Sequence, residues 1–215
     1  TEPEKTFEEV LDEHPVSIQI DGQWQTFPNA KAAEEASYEE YKANLRHNAQ
    51  NFRITDAHLG EGGPKAKFQA NIEAIKLLKY LEETTGQATP EQQEVLSRYV
   101  GWGGLADAFD PEKPAWASEY AQLKELLTPE EYAAARSSTL NAHYTSPTVI
   151  QSIYEAVGRM GFETGNILEP SMGVGNFFGM LPEEMRNSRL YGVELDPVSG
   201  RIAKQLYPKA DITVG

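Results

Sequence analysis

Residues 166–179 read NILEPSMGVGNFFG: a short apolar run, an acid at Glu169, a proline, and two glycines, Gly173 and Gly175, one residue apart. The apolar run is too brief for a surface helix and reads as a buried strand. Two further runs of this kind follow, RLYGVEL at 189–195 and DITVG at 211–215, with the helical patterns NFFGMLPEEM and PVSGRIAKQLY between them. Strand, helix, strand, helix, strand predicts an α/β arrangement with a parallel sheet; the order we expect for its strands is third, second, first. Ligands of such sheets lie beyond the carboxyl ends of the strands. Gly173 and Gly175 fall there, and without Cβ atoms they permit positive φ and a close approach to the main chain. Glu194 ends the second strand, 19 residues past Gly175, where a carboxylate can accept the hydroxyls of a ribose. Two plainer readings stand beside this one: a glycine-rich turn without a ligand, and an acid that only caps the next helix.

Upstream of residue 139 the chain is mostly helical. A pattern at TFEEVLDEH (6–14) comes first, and VSIQIDGQWQTF (16–27) then predicts a small hairpin about Asp21-Gly22. Residues 30–49 form a helix, with Tyr38, Tyr41 and Leu45 on one side. NIEAIKLLKYLEE (71–83) puts Ile72, Ile75, Leu78 and Leu81 on one face of another. Thr89-Pro90, Thr128-Pro129, Ser146-Pro147 and Asp196-Pro197 each place a capping oxygen before a proline and open helices. Thr89 with Gln92, and Thr128 with Glu131, fit the reciprocal capping box. In YVGWGGLADAFD (99–110) the glycines around Trp102 predict a helix-ending turn with the tryptophan as a core anchor; stacking of Trp102 on a base is the alternative.

The 215 residues carry 19 Lys and Arg against 33 Asp and Glu, a formal charge of −14, of which only −2 falls in 141–215. No basic cluster offsets that excess, so this chain alone is a poor match to the DNA backbone. There is no cysteine, which removes disulfides, thiolate metal sites and thiol nucleophiles and fits a reducing, bacterial cytoplasmic setting. No signal peptide and no apolar run long enough for a bilayer is present. The histidines at 14, 47, 58 and 143 show no metal-binding spacing. Ser171 lies in no hydrolase elbow, and no Gly-Lys-Ser/Thr follows the glycines.

A dinucleotide fingerprint would place a third glycine at 178, where this chain has Phe178. The pattern E-P-x-x-G-x-G-x-F at 169–177 instead resembles the first motif of class I S-adenosylmethionine-dependent methyltransferases, particularly those acting on adenine in DNA. The resemblance implies that the loop, carried by Glu169, Pro170, Ser171, Gly173, Gly175 and Asn176, cradles the methionine moiety of S-adenosylmethionine, with Phe177 packed beside it. It implies further that Glu194 binds the ribose and Leu195 lies against the adenine. AHYTSPTVIQSIYEAV (142–157) resembles the segment that precedes the glycine loop in amino-methylating DNA enzymes, where Tyr144, Thr145 and Ser146 would hold the cofactor's carboxylate; read structurally, Ser146 is also a helix N-cap.

Together with NFRITDAHLGEGGPKAKFQANIEAIKLL and LSRYVGWGGLADAFD, these motifs resemble the front of large methylase-helicase proteins of bacterial conjugative elements, over roughly residues 50–215. The fold implied is a truncated class I methyltransferase (Rossmann-like) sheet at 139–215, preceded by a mostly helical region with a hairpin at 1–138. DNA contact is then expected through a full-length parent carrying a Swi/Snf-like helicase. Amino-methylating enzymes also carry an (Asn/Asp/Ser)-Pro-Pro-aromatic tetrad that binds the flipped base, and this sequence contains no Pro-Pro pair. The chain is therefore expected to bind cofactor as a fragment without methylating anything. Two alternatives stay open: a helical interaction module on a degenerate methyltransferase platform, and a piece of a dinucleotide oxidoreductase. The first strand, unpaired on one side, is expected to be covered by helices, the hairpin or a second copy of the chain.

Overall fold

The computed structural model describes residues 14–56, 58–140, 142 and 144–215. All but the last residue of the helical pattern at 6–14 lies outside the described residues, as does His143. The chain divides into two compact units: the residues before Ala49 with Thr85–Gln87, and Ala49–Thr84 with Ala88–Gly215.

In the first unit, β1 (Val16–Ile20) and β2 (Gln23–Phe27) pair antiparallel. Asp21 and Gly22 join them with φ of 50° and 75°, the two positive values that a primed two-residue turn requires. Helix α1 (Ala30–Asn48) follows, and the Asp21 amide donates to Glu40 on it at 2.6 Å. Tyr38 and Tyr41 stack on each other at 6.5 Å and remain largely exposed, so the apolar side expected for α1 is not a buried one.

The second unit contains α2 (Pro64–Glu83), α3 (Pro90–Ser97), α4 (Ala117–Leu126), α5 (Pro129–Ser138) and α6 (Pro147–Arg159). Then come β3 (Asn166–Glu169), the four-residue α7 (Asn176–Gly179), β4 (Arg189–Glu194), α8 (Pro197–Leu206) and β5 (Asp211–Val214). The sheet is mixed into an α/β unit with β4 in the centre, order β3-β4-β5 and both pairings parallel. Its strand limits match the three apolar runs, and its order matches the expectation. This architecture is compatible with a partial Rossmann-like fold.

All four Pro-led starts are present, and both capping boxes close. Ile72, Ile75, Leu78 and Leu81 on α2 are fully buried. The first crossover departs from its pattern. Only Asn176–Gly179 is α-helical, and a 3-10 turn at Glu183–Met185 follows, because Pro182 has no amide to donate and blocks continuation. Trp102 is 1% exposed and meets Phe68, Tyr99 and Phe109 edge-on; it is a core anchor, and base stacking is ruled out by burial. No helix among the described residues is long and apolar enough to cross a membrane.

Ile153, Tyr154 and Val157 of α6 line a groove with Ile167 and Leu168 of β3, and the expected cover of the strand is incomplete. Among the described residues the strand pairs with β4 alone, and Leu168 is 63% exposed.

Candidate functional site

At the carboxyl ends of β3 and β4 the unit encloses a cavity of about 430 Å³. Nine of the sequence-predicted residues line it: Tyr144, Thr145, Glu169, Ser171, Gly173, Asn176, Phe177, Glu194 and Leu195. The glycine loop and the acid one strand later therefore face the same space. Gly173 adopts φ 56°, and its amide donates to Glu194 Oε2 at 2.7 Å, while the Asp196 amide donates to Oε1 at 2.8 Å. These two amides fix the carboxylate at the cavity wall. Each oxygen keeps further acceptor capacity for a ligand hydroxyl.

Glu169 enters from the end of β3. Its Oε2 is buried and has no hydrogen-bond partner among the described residues. Burial first, and then the negative charge of Glu194, push its carboxyl up to about 7. Tyr144 is held by burial as a neutral phenol despite a 3.5 Å contact with Ser199 Oγ. Phe177 is positioned through its neighbours. Tyr154 packs against its ring at 6.0 Å and donates to its carbonyl at 2.7 Å.

Three expected residues sit elsewhere. Ser146 occupies the N-cap of α6 but its side chain makes no capping bond, and it does not line the cavity. Pro170 borders a separate groove between α6 and β3. Gly175 faces inward: a Cβ there would stand 2.5 Å from Tyr207 Cε2, so its bareness serves packing of the loop onto Tyr207.

The residues sequence reasoning missed come mainly from the helical region. Tyr99, Gly101 and Ala142 line the cavity, with Ala134, Ser137 and Ser138 of α5 forming a wall of small side chains. No sequence signal marks such a wall, because small residues on a helix end carry no pattern of their own. The sequence marks Asp196 only as a cap. It does cap α8, accepting from Ser199 N at 2.7 Å and Ser199 Oγ at 2.5 Å through Oδ2, yet its buried Oδ1 has no partner among the described residues and it too lines the cavity.

Among the described lining residues are three acids and no Lys, Arg or His. The site thus favours a ligand bearing positive charge and hydroxyls over a phosphate. No group of His, Asp and Glu among the described residues is arranged to hold a metal ion.

No family model matches the chain, and no solved structure matches it. It is 26% identical over 155 residues, 72% of its length, to Defense against restriction protein B of Escherichia phage P1. Over 61 residues, 28% of its length, it is 38% identical to Type II methyltransferase M.CvrRI of Paramecium bursaria Chlorella virus XZ-6E. The chain spans 5% and 16% of the lengths of these two proteins.

Proposed function

We propose that this chain binds S-adenosylmethionine as the cofactor-holding part of a DNA methyltransferase directed at the adenine amino group. The observation that carries the reading is the Gly173 amide to Glu194 bond at 2.7 Å, which brings the glycine loop and the ribose-type acid to one cavity. The partial similarity to a type II methyltransferase supports it. In this reading Glu194 accepts the ribose hydroxyls, Leu195 lies along the adenine, and Phe177 flanks the methionine chain. Glu169 faces the sulfonium and ammonium end, where an unpaired carboxylate suits a cation. Thr145 and Tyr144 border the same end. The cavity volume lies within the range of small-molecule sites, about 300–1,000 Å³.

The sequence holds no Pro-Pro-aromatic tetrad for the flipped base, so in this reading transfer to DNA belongs to a longer parent carrying a Swi/Snf-like helicase, and this chain alone transfers nothing. Residues 139–215 are taken as the cofactor-binding segment and the upstream helices as its support.

Isothermal titration with S-adenosylmethionine, S-adenosylhomocysteine and NAD tests the reading. Heat is expected from the first two and none from NAD. Binding of NAD alone, or of none of them, overturns it. Incubation with methyl-labelled cofactor and adenine-containing duplex should leave the DNA unlabelled.

A further inference from the structure

The turn YVGWGG at 99–104 borders the cavity through Tyr99 and Gly101. Its backbone is held from below by Asn71 of α2, which is fully buried: Oδ1 accepts from Val100 N at 2.9 Å and Nδ2 donates to Gly101 O at 2.6 Å. Trp102 fixes the turn in the core through three edge-on aromatic contacts. Gly104 N donates to Thr139 O at 3.1 Å, tying the turn to the end of α5.

Two of its glycines then meet the segment that borders the cavity. Gly101 has φ 67°, and a Cβ on it would stand 2.7 Å from Tyr144 Cε2. On the other edge of the ring, a Cβ on Gly173 would stand 3.1 Å from Tyr144 Cε1. The Tyr144 ring is therefore bracketed by two bare backbone positions, one from the turn and one from the glycine loop. At Gly103 a Cβ would overlap the carbonyl oxygen of Ala142. A side chain at either position of the turn displaces the chain that lines the cavity.

We infer that the Gly101-Trp102-Gly103 turn is a positioning element of the ligand cavity, setting Tyr144 against the glycine loop. Its consequence for affinity rests on the S-adenosylmethionine reading; its consequence for Tyr144 does not. Gly104 supplies the internal control, since it has φ 74° in the same turn but open space where its Cβ would be. Gly101→Ala and Gly104→Ala thus impose similar backbone strain, and only the first meets Tyr144.

With fluorotyrosine at position 144, Gly101→Ala should move the fluorine resonance and weaken S-adenosylmethionine binding at least about tenfold. Gly104→Ala should lose comparable melting temperature while resonance and affinity stay within twofold of the parent protein. In a Tyr144→Leu background, Gly101→Ala should cause little further loss of affinity, because the clash is gone. Should Gly101→Ala not fold, Asn71→Ser, which removes the side-chain amide that holds the Gly101 carbonyl, takes its place in both measurements. Equal affinity losses in the two alanine variants, or an unmoved resonance in Gly101→Ala, overturn the inference. If the parent protein binds no S-adenosylmethionine, the cofactor reading fails and the fluorine resonance alone decides the role of the turn.

Discussion

Glu194 is held by two main-chain amides and Glu169 by none, and that difference separates their chemistry. The Gly173 and Asp196 amides hold the two oxygens of Glu194 in place as acceptors. Replacing it with Ala removes charged hydrogen bonds to the ligand and should weaken S-adenosylmethionine binding about 10- to 150-fold, or roughly 1.5–3 kcal/mol; calorimetry reads this directly, and an unchanged dissociation constant removes Glu194 from the site. Glu169, raised to about 7, faces Glu194, with the neutral phenols of Tyr154 and Tyr207 nearby and Arg53 beside those two. A cationic ligand favours its ionised form, so affinity should rise with pH through 7 and be about tenfold weaker at pH 6 than at pH 8. Glu169→Gln should flatten that profile. For folding the sign is opposite. A carboxyl whose folded pKa is raised contributes most at acid pH, below about 4.5, and that contribution is lost as pH rises through 7.

At the scale of elements, one carboxylate joins three helices. Glu131 closes the capping box of α5, accepting from Thr128 N at 3.0 Å while its own amide donates to Thr128 Oγ1 at 3.2 Å. It also accepts from Lys79 of α2 at 2.9 Å and pairs with Arg201 of α8. Burial would raise its carboxyl, but the Thr128 amide, Lys79 and Arg201 outweigh that and hold it below the usual carboxylate range. Thr128→Ala should therefore lower stability by about 1 kcal/mol, the usual worth of a cap. Glu131→Ala should lower it by roughly 2–4 kcal/mol, since Lys79 loses its partner and Arg201 keeps only Glu82. Denaturant melts separate the two variants. Because the Glu131 pKa is depressed, its contribution is present above about pH 4.5 and is lost as pH falls through the lowered value. The two capping boxes were legible from spacing alone, because the motif is local. The ion pairs were not, since Lys79, Glu131 and Arg201 are brought together by packing.

On the whole molecule, the feature with most consequence is the open side of β3. Among the described residues no strand pairs with the outer edge of β3, which carries an exposed Leu168 and forms a template for another strand, and we expect concentration-dependent self-association through it. Sedimentation velocity across a hundredfold range of concentration should show it, and Leu168→Glu should abolish it. A monomer at every concentration would show that the edge is not sticky enough to pair.

Three strands, the Pro-led helix starts and most of the cavity's loop residues could be read along the chain. Each depends on interactions within a few residues or on a short period of apolar side chains, and those are written in one dimension. The inward turn of Gly175 toward Tyr207, the small-residue wall of α5, the unpaired oxygen of Asp196 and the seating of Tyr144 between Gly101 and Gly173 could not. They join positions tens of residues apart, and which of those positions meet is settled by how helices close over a sheet rather than by local preference.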